Sequence, residues 1–398
     1  MRATHPVLDI RSLNRATLAR QLLLSRAEMS AEDAVAHLLG LQAQNVKPPY
    51  FQLHARLAGF RPAELAGLME SRRVVRMVTM RSTIHTHTAH DALTLRPLVQ
   101  AARDREVGAF RKGLVGVDLE RLAGLARAFV EAEPRTMKEI REELCKDWPG
   151  ADPQALSVAA RCLLPLVQVT PRGVWGRSGQ VRLTTLEQWL PAAAAPDAPP
   201  AAGQQLDDVV LRYLGAFGPA SVKDMQVWAG LTRLREAFER LRPQLAVFRD
   251  ENGVELFDLP DAPRPDADTP APPRFLPEFD NLLLSHADRT RVIPAGLKGR
   301  ASVGNQAYCT LLVDGFLAGL WRLGEGGGDG GGGGRLVVEL FGEASTAQKD
   351  RIVEEGERLV AEMTAGSGDE TGAAAETGAA AEAGAAGRGS VVFGSIHG

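Results

Sequence analysis

Long apolar runs are missing from this chain of 398 residues. No stretch approaches the roughly 18 uninterrupted apolar residues that a membrane span requires, so a membrane protein is not expected. Cysteine is scarce too: Cys145, Cys162 and Cys309 are odd in number and scattered, without the close pairing of a zinc ribbon or a disulfide framework. They read as buried thiols of a reducing cytoplasm. The N-terminus reaches Asp9 and Arg11 before any apolar export segment develops, so a cytoplasmic location is expected. A net positive charge is also lacking; the formal value of −3 argues against a polybasic nucleic-acid binder taken as a whole. The charge is uneven, however. Residues 1–112 hold 17 Lys and Arg against 9 Asp and Glu, and a local excess of that kind can hold phosphates.

Core material is plentiful, with 44% hydrophobic residues, and the length predicts two to four modules rather than one core. Apolar residues recur at helical spacing over 13–24 and 31–41, with Ser30 placed to cap the second helix. Pro48 and Pro49 should keep 42–49 irregular and partly extended, and Pro62 suits the first turn of a helix over 61–70. The Val, Thr and Ile of 74–87 predict extended chain at least over 78–86. Helices over 136–147 and 153–166, followed by a Gly-punctuated hairpin over 167–183, make a winged helix. The pattern returns as helices over 209–217, 221–228 and 232–241 and a hairpin of 245–249 with 254–259. Ala/Pro-rich 191–203 and Asp/Pro-rich 260–273 read as linkers, marking boundaries near 197 and 266. Strands are expected over 309–323 and 335–341 with a turn at Asp314 and Gly315, then a helix over 346–363 and one more strand over 390–396. The Gly-rich loop 326–334 lacks a following Gly-Lys-Ser or Gly-Lys-Thr and is no phosphate cradle. The Gly/Ala/Glu tract 366–387 has a disordered composition.

The residues that point to chemistry are Leu39-Gly40-Leu41-Gln42-Ala43-Gln44-Asn45 with the continuation Pro48-Pro49-Tyr50. In extended chain, side chains two apart face the same way, so Gln42 and Gln44 can enter one pocket. A Gln-x-Gln by itself is common, and two loop amides that satisfy backbone groups beside the prolines would look the same. Three further stretches follow in order: Arg81-Ser82-Thr83-Ile84-His85, then Leu276-Pro277-Glu278-Phe279-Asp280-Asn281-Leu282-Leu283-Leu284-Ser285-His286-Ala287-Asp288-Arg289, then Leu312-Val313-Asp314-Gly315 leading to Gly319-Leu320-Trp321. With these four matches the chain resembles the AlkZ family of bacterial winged-helix DNA glycosylases, several of which protect antibiotic producers from their own DNA-alkylating products.

The resemblance implies an α+β fold of three tandem winged-helix modules and a C-terminal β-rich, barrel-like domain, curved around a DNA-binding cleft. The corresponding divisions are 1–112 with the Gln-x-Gln turn, 113–196, 204–262 and 270–398. It implies monofunctional hydrolysis of the N-glycosidic bond of N7-alkylguanine, with Gln42 and Gln44 catalytic, no metal and no cofactor, and a monomer acting on duplex DNA that contains the alkylated base. Some family members carry an acid at the second motif position; Gln44 here points to the branch associated with bulky adducts and crosslinks. Asn45, Lys47, Arg81, His85 and Arg289 are candidates for DNA contact. Arg81 and His85 would equally suit a solvated strand face, and Asp280, Asn281 and Arg289 a loop that merely organises itself. A Schiff-base role for Lys47 would require burial to lower its pKa. His85 and His87 have metal-ligand spacing but no cluster to complete a site. Trp175 and Trp228 read as core. The rival functions are a winged-helix transcriptional regulator, which would ordinarily bring a dimerisation helix and a palindromic site, and a lesion binder without catalysis.

Overall fold

The computed structural model describes residues 5–190, 202–304, 306–324, 334–364 and 390–396. Local signals set the first elements. Asp9 caps the helix Ile10–Arg20, its carboxylate accepting from the Ser12 N–H at 2.7 Å, and Ser30 caps Ala31–His37 in the same way at Asp33. The chain then turns through Leu39 and Gly40, at φ 56° and 94°, into the short strand Leu41–Gln42. A β-carbon on Gly40 would lie 2.2 Å from the His87 ring, so this turn demands glycine. Irregular chain ends sooner than the two prolines suggested: Pro48 and Pro49 open the helix Pro48–Arg56. Proline is tolerated there because the first turn of a helix has no internal partner for its N–H groups.

The expected single extended run over 78–86 is instead a hairpin of Val74–Val78 and Ile84–Thr88. Its turn, Met80–Ser82, places Arg81 and Ser82 at φ 54° and 57°. Tight hairpins need such angles, but no Gly or Asn announces them here. The hairpin is the centre of a five-stranded antiparallel sheet ordered Leu41–Gln42, Ile84–Thr88, Val74–Val78, Leu166–Gln168, Leu183–Thr185. Strands from both sides of residue 112 thus share one sheet.

Three helices, Leu119–Ala132, Met137–Asp147 and Pro153–Leu163, precede the outer two strands and close over Leu122, Val130, Ile140, Leu144 and Leu156. Thr136 and Asp152 cap the latter two. The helix Leu119–Ala132, like Ala89–Leu98 and Gln100–Ala109 before it, was not anticipated. Helices Ala202–Phe217, Val222–Ala229 and Arg235–Leu241 and the hairpin Ala246–Asp250/Glu255–Asp258 repeat the succession. The segment Val7–Leu8 pairs in parallel with that hairpin, tying the start of the chain to its middle.

The C-terminal part is a five-stranded sheet ordered Ser390–Phe393, Arg335–Leu340, Phe316–Gly324, Thr310–Val313, Arg274–Leu276. Asp314 and Gly315, at φ 49° and 81°, make the expected turn. Among the described residues the sheet is open, its two outer strands each paired on one side, and does not close into a barrel. The helix Thr346–Thr364 lays Ile352, Leu359 and Val360 on Phe275, Leu336 and Val338. The same apolar cluster takes in Tyr50, Phe51 and Leu53, so the helix after the Gln-bearing turn is packed onto the C-terminal sheet. Burial of this apolar surface, at about 25 cal/mol per Å², is what holds the two parts together.

The fold is of the mixed α+β class. No described helix is long and apolar enough to cross a membrane. Segment 260–273 has neither helix nor strand, as its composition suggested. The linker at 191–201, most of the Gly-rich loop and the tract 366–387 lie outside the described residues.

Candidate functional site

Strand pairing sets Gln42 opposite His85, and the Ala43 N–H donates to the Ile84 carbonyl at 2.8 Å. Gln42 is buried and Gln44 exposed. The side-chain Oε1 of Gln42 accepts from the Arg81 guanidinium at 2.6 Å, and that of Gln44 accepts from the Ile84 N–H at 3.0 Å. Both donors can only donate, so the chemistry of the partners assigns the oxygen end of each amide. The two NH₂ groups remain for other partners, as does one lone-pair position on each oxygen. The backbone of the turn is clamped as well. The Gln52 side-chain amide donates to the Gln42 carbonyl at 3.0 Å, and Arg76 donates to the Ala43 carbonyl at 2.8 Å.

Arg81 reaches Gln42 because its own backbone is left-handed. Its guanidinium also donates to the Trp228 carbonyl and to His85 Nε2, the latter at 3.3 Å. Burial pushes its pKa down to about 10, and the charge of Arg289 adds to the shift. His85 Nδ1 lies 3.0 Å from the Thr83 carbonyl, which requires the proton on Nδ1 and leaves Nε2 to accept from Arg81. Burial holds His85 well below its ordinary pKa, the Arg81 charge contributing next, so the imidazole is neutral. The Thr79 hydroxyl bridges His85 and His87 at 3.2 and 2.9 Å, and the two rings stack 5.5 Å apart. Among the described residues no group of three or more His, Cys, Asp or Glu is arranged to hold a metal ion.

The stretch 278–281, more than 230 residues away, supplies the other half of the site. Asp280 and Arg56 form a fully buried two-pronged ion pair at 2.7 and 2.8 Å. Asn281 donates to the Gly40 carbonyl at 2.7 Å and accepts from the Gln42 N–H at 3.4 Å. Glu278 accepts from the Asn45 side chain at 2.9 Å and from the Cys309 thiol at 3.2 Å. Burial raises the Cys309 pKa, the Glu278 charge adding to it, so the thiol stays a donor. An open cleft of about 910 Å³ lies here, lined by Gln44, Asn45, Glu278, Tyr308, Trp321 and Arg322 among others.

Of the residues singled out from the sequence, Gln42, Gln44, Asn45, Arg81 and His85 come together. Lys47 is exposed beside them, and Arg289 is exposed with its charge felt at Arg81. His85 is buried and Arg81 is committed to Gln42, so neither presents a solvated strand face. Asp280 and Asn281 organise the Gln-bearing turn rather than only their own loop. Trp175 packs at a tilt or edge-on against Tyr50 and Phe51 at the margin of the core, and Trp228 at a tilt against Tyr213 and Phe217 within it. Gln52, Arg56, Arg76 and Glu278 were not singled out. Glu278 lies within the 276–289 stretch, but nothing local marked any of the four as a partner of the turn.

A family described as DNA glycosylase AlkZ-like matches residues 35–361 of the chain. Among solved structures, the DNA glycosylase AlkZ of Streptomyces sahachiroi has a similar fold, with a TM-score of 0.73 and 17% identity over 97% of this chain and 100% of that one. No curated protein matches in sequence.

Proposed function

The chain belongs to the AlkZ-like DNA glycosylase family, and from that premise we propose that it hydrolyses the N-glycosidic bond of N7-alkylguanine in duplex DNA through Gln42 and Gln44. The observation that carries this reading is the pair of amides on one short edge, each oxygen held by a fixed donor. Alkylation at N7 puts a positive charge on the base, so it leaves as a neutral species without being protonated, and the sugar acquires oxocarbenium character at C1′. The site then has to position a water and tolerate positive charge. Neutral amides can orient that water through NH₂ and the remaining oxygen lone pairs. Arg81 and neutral His85 act from behind as positioning residues, leaving Asn45, Lys47 and Arg289 to meet DNA. The reaction is monofunctional and leaves an abasic site: exposed Lys47 lacks the desolvation that makes a lysine nucleophilic. The open form of the cleft suits bulky adducts, crosslinks included, which resist extrusion into a narrow pocket. We place the protein, as a monomer with no cofactor, in self-resistance to a DNA-alkylating natural product.

The test is release of N7-methylguanine, then of a bulkier N7-guanine adduct, from duplex DNA by the wild type and by Gln42→Ala/Gln44→Ala. Free base and an abasic strand from the wild type, lost in the double variant while DNA binding persists, is the expected result. Folded, DNA-binding protein that releases no N7 adduct would return the reading to a regulator or a lesion binder.

A further inference from the structure

The Gln pair leaves one requirement unmet. Water attacking C1′ must give up a proton, and a neutral amide is far too weak a base to take it. Both amide oxygens are moreover already accepting, from Arg81 and from the Ile84 N–H. Among the described residues lining the cleft beside Gln44 there is one carboxylate, Glu278. We infer that Glu278 is the catalytic acceptor of that proton and the negative charge that faces the cationic sugar, an inference that rests on the glycosylase reading above.

Its placement is specific. One carboxylate oxygen accepts from Asn45, the neighbour of Gln44, and the other from the Cys309 thiol. Two donors leave about half of a carboxylate's lone-pair positions free. The next residue, Phe279, sits at φ 60°, which a bulky side chain rarely adopts unless its surroundings impose it. The surroundings here are Asp280 locked on Arg56 and Asn281 locked on Gly40 and Gln42. The backbone that aims Glu278 is therefore tied directly to the backbone that carries Gln42. In the step itself the C1′–N9 bond breaks with its electron pair going to the base, which cancels the N7 charge. The water oxygen bonds to C1′, and its proton passes to the Glu278 carboxylate. No further reactant is needed.

The experiment is single-turnover release of N7-methylguanine by the full chain as wild type, Glu278→Gln and Glu278→Ala, with and without added formate, alongside the Kd for the same duplex and a thermal unfolding curve. Glu278→Gln keeps the size of the side chain and can still accept from Asn45. It should slow release about 100-fold, within the range a general base contributes, with Kd changed less than about twofold. Formate should restore part of the rate to Glu278→Ala, which a merely structural defect would not allow. Release by Glu278→Gln at the wild-type rate, or a defect in Glu278→Ala that formate leaves untouched, overturns the assignment while the glycosylase reading stands. Absence of release by the wild type overturns both.

Discussion

The region around Gln42 and the helical unit 119–164 solve opposite problems. Around Gln42 the interior holds Gln52, Arg56, Arg76, His85, His87, Asp280 and Asn281, all buried. The helical unit buries Leu122, Val130, Ile140, Leu144 and Leu156, and keeps its ion pairs Arg121–Asp147, Lys138–Glu142 and Lys146–Glu143 at the surface. Hydrocarbon packs in many nearly equivalent ways, whereas each desolvated polar group is stable only with its own partner in place. One region is built for stability, the other for a defined geometry around two amides.

The sharpest way to break this contrast is Arg56→Met, which leaves the Asp280 carboxylate buried without its partner. We expect a loss of about 3–5 kcal/mol in urea unfolding; a cost below about 1 kcal/mol would falsify the contrast. Replacing both, as Arg56→Met/Asp280→Leu, should recover much of the stability but not base release, because Asn281 and Gln42 lose their common anchor. In the other region Ile140→Ala should cost about 3 kcal/mol by opening a cavity. Single-turnover release at 25 °C should nevertheless stay at the wild-type rate; a tenfold fall would show that the two regions are coupled.

Arg81→Met removes the donor that fixes the Gln42 amide. It should destabilise by about 1–2 kcal/mol and reduce release at least tenfold with DNA affinity retained, which a filter-binding titration would check. Acid should also separate the regions. Burial keeps His85 and His87 neutral, His87 down to about 4, against an ordinary value of 6.5. Unfolding lets each bind a proton below that ordinary value, so stability is full above about pH 6.5 and is lost as the pH falls toward 4. The unit 119–164 contains no histidine. Hydrogen exchange should show the amides of Val74–Val78 and Ile84–Thr88 losing protection over this window before those of Met137–Asp147. The smallest effect belongs to the exposed pair Lys138–Glu142: Lys138→Ala should change stability by less than about 0.5 kcal/mol.

These contrasts also explain what could be read from residues alone. Ser30 marked a helix start because a cap depends on a few neighbouring atoms. Asp314-Gly315 marked its turn because the backbone angles select those residue types. The turn at Arg81 and Ser82 left no such mark. Its left-handed angles are stabilised by what Arg81 reaches, Gln42 and the Trp228 carbonyl, and not by its own residue type. The helix Leu119–Ala132 carries signals of the same local kind, an Asp118 cap and the regular apolar spacing of Leu122, Ala126 and Val130.

For the site, the sequence by itself determined that two glutamines stand two apart in a proline-bounded turn, and that a handful of stretches in fixed order accompany them. Periodicity, caps and turn residues act over a few positions, and such information is complete in the local chain. Tertiary structure alone decided that Asp280 would meet Arg56, that Asn281 would hold Gly40 and Gln42, and that Glu278 would stand in the cleft beside Gln44. Those partners are more than 220 residues apart. Burial of Tyr50, Phe51 and Leu53 against the C-terminal sheet, and of Leu18, Leu23 and Ala55 against Leu276 and Leu282, brings them within reach, and a hydrogen bond exists only once its two ends are within about 3 Å of each other.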